Sequence, residues 1–433
     1  MEIFELYYKK NICSFYANIQ EGFPTERTIL HCDLNNFYAS VACHDHPELR
    51  TKAVAVCGSV EMRHGIILAK NMAAKKMGVK TGEALWQAKE KCPDLVTVPP
   101  DFPRYSYFSN LAKQIYSEYS DLLESFGPDE AWIDVTGSET LFGSGRHIAD
   151  EIRCRVRREL GLTISVGVSF NKVFAKLGSD LRKPDATSVI TKSNFKEIVW
   201  QLPIESMIGI GPSTAKKLRD IGIETLGQLA RGDDVILKRR LGIRGPELKS
   251  FALGEDYSRV SPIDYKRKPQ SIGRSTTYHR DITSNEDVWR LMLKLAEEVG
   301  AELRTEKLAA TSVQIHLRTD SLKVNELQTP LAVPTQLGFQ IAKAGFDLFK
   351  KSYDFLNPLR SVGIRAINLE PYCENARQLY LFENFQKQEK LQKIENQMDE
   401  IRGRFGSESI VRGRLLYEKT PPKAKNAFSV IYK

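Results

Sequence analysis

The chain has 433 residues, 42% hydrophobic and 27% charged, with a formal net charge of +9. That length accommodates about two to four domains with their own cores, and no run of about eighteen apolar residues is present to make a transmembrane helix. The N-terminus is acidic and lacks an apolar core, which argues against a secretory signal. The seven cysteines are scattered without a CxxC pair and read as reduced thiols of a cytoplasmic protein, rather than disulfides or a zinc site. The excess of basic residues points to a polyanionic partner, nucleic acid first among them.

Residues 1–27 have no clear period and are expected to be an N-terminal extension. Thr28–His44, TILHCDLNNFYASVACH, begins as a buried strand, breaks at Asn35-Asn36 and continues as a helix from Phe37. Asp33 is then a carboxylate at a strand end with a helix N-terminus close behind, a place that suits a metal-bound phosphate. An ordinary helix cap is the plainer reading. Cys43-His44-Asp45-His46 has the spacing of no standard metal site and reads as a loop or helix end. Strands are expected at Ala53–Val56 and Gly65–Leu68, and helices over Lys70–Lys80 and Trp86–Cys92. A long helix is expected over Tyr105–Phe126, with Tyr107, Leu111, Ile115, Tyr119 and Leu122 at spacings of three and four.

Glu124–Ser138, ESFGPDEAWIDVTGS, holds a turn at Phe126-Gly127-Pro128 and a strand-like run through Trp132, Ile133 and Val135. In a regular strand Asp129 and Glu130 would point to opposite faces, but at the rim of a turn they can converge. Two such carboxylates suit a divalent cation, although an acidic turn in water is the commoner use of a DE pair. An arginine-rich helix at Ile148–Leu160, a strand at Thr163–Phe170 and a helix ending near Pro184 follow. Lys172 and Lys176 share one face of that last helix and could hold a triphosphate against the carboxylates.

Gly209-Ile210-Gly211-Pro212 forms a tight turn between two short helices, with Lys216 and Lys217 one turn further on. Backbone N–H groups in such a turn reach a DNA phosphate, the pattern of a helix-hairpin-helix. Leu241–Leu248 is a weaker second copy. After the basic linker DYKRKPQ, strands at Ser271–Thr277, Ala310–Arg318 and Leu359–Leu369 and a helix at Ala342–Lys351 fit a small βαβ-type domain. In the tail, Phe385, Leu391, Ile394, Met398 and Ile401 lie near one helix face. This is either an amphipathic helix covering the body or, upstream at Leu381 and Phe382, a docking peptide.

Taken together, HCDLNNFYASV, GPDEAWIDVTGS, SVGVSFNKVFAKLGSDLRKPD and IGIGP resemble, in this order, the motifs of the Y-family DNA polymerases. The likeness is to the bacterial DinB (DNA polymerase IV) branch and its Gram-positive ImpB/MucB/SamB-type relatives. It implies a mixed α/β (α+β) right hand. Residues 28–37 and 99–190 would be the palm, 38–98 the fingers and 191–263 a helical thumb. A linker at 264–269 would lead to a C-terminal α/β little-finger domain at 270–372 and a tail at 373–433.

It implies template-directed, translesion-type DNA synthesis on two Mg²⁺ ions. Asp33 and Asp129 would bridge the ions, Glu130 would hold the catalytic one, and the Leu34 carbonyl would hold the nucleotide-bound one. Tyr38 would be the steric gate beside Phe37. Lys75 and Lys176 would meet the dNTP, and Gly209, Gly211, Lys216 and Lys217 the primer-template DNA. Gln378, Leu379, Leu381 and Phe382 resemble a sliding-clamp (beta clamp) motif, and the family implies a monomer. The chain departs from the family at Met72 and Lys75, where a tyrosine and an arginine are usual, so a weaker or differently shaped triphosphate grip is expected, without loss of activity. A non-catalytic DNA-binding module and a two-metal nuclease are the competing readings.

Overall fold

The computed structural model describes residues 26–61, 63–372 and 385–416. They form two compact units, one of residues up to 56, 68–81 and 89–265, the other of 57–67, 82–88 and 266 onward.

The first unit begins with β1 (Ile29–Leu34) and α1 (Phe37–Asp45). Next come β2 (Val54–Cys57), β3 (Ile67–Lys70), α2 (Met72–Lys76), α3 (Leu85–Lys91, whose first four residues fall in the second unit) and β4 (Val96–Val98). The three strands make a small sheet in the order β3-β2-β4. Then follow α4 (Phe102–Ser117), β5 (Leu123–Ser125), β6 (Glu130–Asp134), α5 (Glu139–Phe142) and α6 (Gly145–Leu160). β7 (Ile164–Ser169), α7 (Lys172–Leu181) and β8 (Thr187–Ile190) complete this part. The main sheet has the order β5-β6-β1-β7-β8, antiparallel except for the β7–β8 pair.

Strand alternation decides the layers. Leu30, Cys32, Leu34, Ala131, Ile133, Val166 and Val168 turn to one face and form a core with Ile115 of α4 and Ile148 and Ile152 of α6. His31, Asp33, Glu130 and Trp132 therefore turn to the other face, where α7 lies. α7 comes unusually close because β7 carries Gly167: a Cβ there would sit 1.9 Å from the Ala175 carbonyl oxygen. The helix expected to reach Phe126 ends at Ser117 instead. Leu122 accepts a hydrogen bond from Asp134 N–H, and Leu123–Ser125 are drawn into a hairpin with β6. The helix expected over Lys70–Lys80 is confined to Met72–Lys76, since Gly78 takes a φ of 83° and turns the chain. The third strand, expected at Gly65–Leu68, sits two residues later, at Ile67–Lys70.

The helical part of the same unit contains α8 (Phe195–Val199), α9 (Pro212–Arg219), α10 (Leu226–Ala230), α11 (Asp234–Leu241) and α12 (Arg244–Ala252). They share a core of Leu218, Leu226, Leu229, Leu237 and Leu248. The element expected as a helix before the GIGP turn is a single 3₁₀ turn, Ile204–Ser206.

The second unit contains β9 (Ser271–Ile282), α13 (Asn285–Thr305), β10 (Leu308–Thr319), β11 (Val324–Thr335), α14 (Gly338–Ser352) and β12 (Leu359–Pro371). Its four-stranded sheet has the order β11-β10-β12-β9. Every pair in it is antiparallel, so the expected βαβ unit is a βαββαβ arrangement. Val299 and Leu303 of α13 and Ile341 and Ala342 of α14 cover one face of the sheet through Val313, Ile364 and Ala366.

α15 (Phe385–Phe405) returns to this unit on only part of the expected apolar stripe, at Met398. Ile394 and Ile401 are exposed, while Gln392, Glu395 and Met398 are buried. Glu395 accepts from Arg304 (2.6 Å), Arg412 (2.8 Å) and the Gly338 N–H (3.0 Å). Glu297 accepts from Arg402 and Arg412. A satisfied ionic network, rather than aliphatic packing, sets which face of α15 turns inward.

Candidate active site

Asp33 and Glu130 are directly opposite one another in the β1–β6 register, so their side chains share a face. Asp129 precedes β6, and its carbonyl accepts the Leu34 N–H at 3.0 Å, which ties the turn to the end of β1. Gly127, at φ 112°, makes the turn that brings the three carboxylates to one end of the sheet.

Cations from α7 and its C-terminal loop meet them. Lys176 Nζ lies 2.7 Å from Glu130 Oε1 and 3.4 Å from Asp33 Oδ2, and Lys183 Nζ lies 2.7 Å from Asp33 Oδ2. Asp180 pairs with both lysines. Lys172, expected to share the task, instead pairs with Glu124 and lies over the Trp132 ring. Lys183 was not anticipated. Its signal was present in GSDLRKPD, a lysine seven residues past Lys176 where Pro184 ends the helix.

His31 lies beneath the carboxylates, fully buried. Its Nδ1 is 2.9 Å from Ser179 Oγ and its Nε2 is 3.7 Å from Glu130 Oε2, too far for a hydrogen bond. Burial holds the imidazole below its ordinary pKa.

Burial pushes the Asp33 carboxyl up to about 6 against the pull of Lys183 and Lys176. Asp129 is raised by burial and by the charge of Glu130. Burial also works to raise Glu130, but its neighbours, the Lys176 ammonium at 2.7 Å foremost in geometry, outweigh it and hold that carboxyl at about 2. Burial opposes the charge of Lys176 and Lys183, yet the surrounding carboxylates raise both. The cluster is a low-dielectric patch in which every negative charge needs a positive partner.

Three carboxylates at one end of a sheet are hard-oxygen donors of the kind that Mg²⁺ takes. Among the described residues no three His, Cys, Asp or Glu side chains form a closed metal cage. Lysine ammonium groups stand between the acids instead, so the donor set fits a cation that displaces lysine contacts rather than one that enters a preformed cage.

Tyr38 stacks on Tyr105 of α4 with centroids 4.1 Å apart and planes 12° apart, and Phe37 leans on both rings. Burial and the Asp129 charge raise the Tyr38 hydroxyl above its ordinary pKa. Tyr105 was read only as a helix residue. Lys75 is exposed on α2, and none of the contacts of the carboxylate cluster reaches it.

Gly209 takes a φ of 89°, Gly211 caps α9, and Lys216 and Lys217 are exposed on its last turn. α11 and α12 form a second helix pair, joined through Gly242 at φ 66°. Gln378, Leu379, Leu381 and Phe382 lie outside the described residues.

Residues 32–180 match the impB/mucB/samB family, 269–381 its C-terminal domain and 192–223 its HHH motif. A DNA polymerase IV of Acetivibrio thermocellus is 49% identical over 394 residues, 91% of this chain and 98% of that protein. DNA polymerase IV 1 of Bacillus subtilis is 36% identical over 402 residues, 92% of this chain and 95% of that protein. A solved Y-family DNA polymerase chimera shares the fold at a TM-score of 0.70 and 22% identity, covering 79% of this chain and 99% of its own. The chain belongs to the impB/mucB/samB family, the Y-family DNA polymerases, on its DNA polymerase IV branch. It is a DNA-directed DNA polymerase of the translesion type, and the family's catalysis is metal-dependent.

Proposed function

We propose that Asp33, Asp129 and Glu130 are the catalytic carboxylates of this polymerase and hold two Mg²⁺ ions together with the Leu34 carbonyl. The observation that carries this is the register pair Asp33–Glu130, with Asp129 tied to Leu34 and two lysines neutralising the cluster. Such ions lower the pKa of a primer 3′-hydroxyl and neutralise a leaving pyrophosphate.

The chain's own residues do the rest. Lys176 and Lys183 balance the acids before a nucleotide arrives, and each has a flexible stem long enough to turn to a phosphate oxygen. Tyr38, backed by Tyr105 and Phe37, presents a rigid ring under the sugar and leaves no room for a 2′-hydroxyl. Lys75, with Met72 beside it, supplies a point charge rather than a bidentate fork to the triphosphate. The N–H groups around Gly209 and Gly211, with Lys216 and Lys217, hold the DNA backbone.

In domain terms, 28–37 and 99–190 are the palm, 38–98 the fingers, 191–263 the thumb and 270–372 the little finger. The polymerase works as a monomer in the cytoplasm, where Cys32, Cys43, Cys92 and Cys154, none of them in a disulfide, stay reduced. No helix among the described residues is long and apolar enough to cross a membrane. Gln378, Leu379, Leu381 and Phe382 recruit the sliding clamp.

Labelled primer-template supplied with Mg²⁺ and dNTPs is extended by the purified protein and stays intact when dNTPs are withheld. Degradation without dNTPs would turn the reading to a nuclease. Binding with no incorporation on any template would turn it to a non-catalytic module. Deleting Gln378–Phe382 removes clamp stimulation and spares basal synthesis; stimulation that survives the deletion removes the clamp role.

A further inference from the structure

Lys183 stands outside any helix, in the loop between α7, which ends at Leu181, and β8, which starts at Thr187. A lysine side chain loses rotamer freedom when fixed, and a mobile loop would add to that cost. Something must hold this loop for Nζ to rest 2.7 Å from Asp33.

The holding point is two residues on, at Asp185. Its φ of 55° is in the left-handed region, where a residue with a Cβ stays only if its surroundings insist. Three groups insist. Asn35, almost fully buried, accepts the Asp185 N–H at 2.8 Å and donates its amide N–H to Ser165 Oγ at 3.0 Å. Arg153 of α6 donates to the Asp185 carbonyl at 2.6 Å and to its carboxylate at 3.2 and 3.3 Å. Arg157, one turn on, pairs with the same carboxylate. Arg153 is itself fixed from behind by Asp150 at 2.9 Å and Thr187 at 3.3 Å, and Thr187 Oγ1 donates to Asp150 at 2.6 Å. The guanidinium grips main chain and side chain of one residue through its planar fork, a geometry no lysine reproduces.

We propose that Arg153 is a positioning residue for dNTP binding: by clamping Asp185 it sets the loop from which Lys183 reaches the triphosphate. The proposal rests on the reading of Lys183 as a triphosphate contact. Arg153 touches none of the three carboxylates, so its effect passes through Lys183 and falls on nucleotide affinity rather than on chemistry.

A double-mutant cycle tests this. Single-nucleotide incorporation gives kcat and KM, dNTP binding to a dideoxy-terminated primer complex gives Kd, and melting controls for folding. Arg153→Gln raises KM and Kd by about 5–20-fold and changes kcat by less than about twofold. In a Lys183→Ala background, where KM is already raised, the same change adds less than about twofold, because the two act as one unit. Arg153→Lys behaves like Arg153→Gln. If Arg153→Gln does not fold, Asp185→Asn, which keeps the backbone contacts, gives the same pattern in smaller measure. A raised KM in Lys183→Ala beside an unchanged KM in the Arg153 and Asp185 variants overturns the positioning role alone, as do additive effects. An unchanged KM in Lys183→Ala removes the triphosphate reading and the positioning role with it.

Discussion

Lys176 Nζ stands between Glu130 and Asp33, 2.7 and 3.4 Å from their carboxylate oxygens, on two strands that pair at those same two residues. The acids of this site are thus neutralised by the protein's own ammonium groups before any other cation arrives. Lys176→Ala should therefore lower the melting temperature in EDTA, by an amount equivalent to about 2 kcal/mol, and Mg²⁺ should restore most of it. Equal losses with and without Mg²⁺ would mean that the lysine and the metal do not share the same carboxylates.

The contact between α7 and the sheet depends on one missing methyl group. A Cβ on Gly167 would lie 1.9 Å from the Ala175 oxygen and 2.4 Å from the Ser179 nitrogen, both of them backbone atoms. Gly167→Ala should destabilise the first unit by about 3 kcal/mol or more and reduce incorporation, since Lys176 rides on the displaced helix. Denaturant midpoints measured beside primer extension check both; a stability within about 0.5 kcal/mol of the parent would contradict the packing argument.

Much of this site was legible in the chain, for particular reasons. Asp33 and Asp129-Glu130 sit where an apolar strand meets a break, and such boundaries show in composition. Their convergence was not legible, because it depends on a β1–β6 register set by residues about a hundred apart. Asp33 is the penultimate residue of β1, at the strand end where it was expected. Lys183 went unread because a lysine next to proline has no period to mark it. Strand β11 gives no clear signal because it is an edge strand with only one buried residue and prolines at 330 and 334. The inward face of α15 was misjudged because apolar spacing outweighed Glu395 and Arg402, whose partners Arg304, Glu297 and Arg412 are distant in sequence or beyond the helix.

The Tyr38 ring owes its position to the Tyr105 stack. Tyr38→Ala should lower discrimination against ribonucleotides by about tenfold or more, and Tyr105→Leu by a smaller factor, as the gate loosens without disappearing. Paired dNTP and rNTP incorporation rates decide it; an unchanged ratio in Tyr38→Ala would remove the gate.

Helix α1, which carries Phe37 and Tyr38, is tied to α4 by Asp45 and Arg104, at 2.7 and 2.8 Å. The hydrogen bonds from Arg104 hold the Asp45 carboxyl at about 2, below its ordinary value of 3.8. An acid with a lowered folded-state pKa adds stability above its unfolded pKa and loses it as pH falls through the folded value. The pair is partly solvated, so about 0.5–1 kcal/mol is at stake. Asp45→Asn should melt lower than the parent from pH 5 to 7, with the gap closing from about pH 4 toward 2. A gap that persists at the lowest pH would assign the loss to packing.

Glu130→Ala and Asp129→Ala, measured beside the parent for single-nucleotide incorporation and for primer-template affinity, test the central assignment most directly. Incorporation should fall by about a thousandfold or more in each, with DNA affinity changed by less than about threefold. Incorporation at the parent rate by either variant would contradict the assignment of this cluster as the catalytic centre.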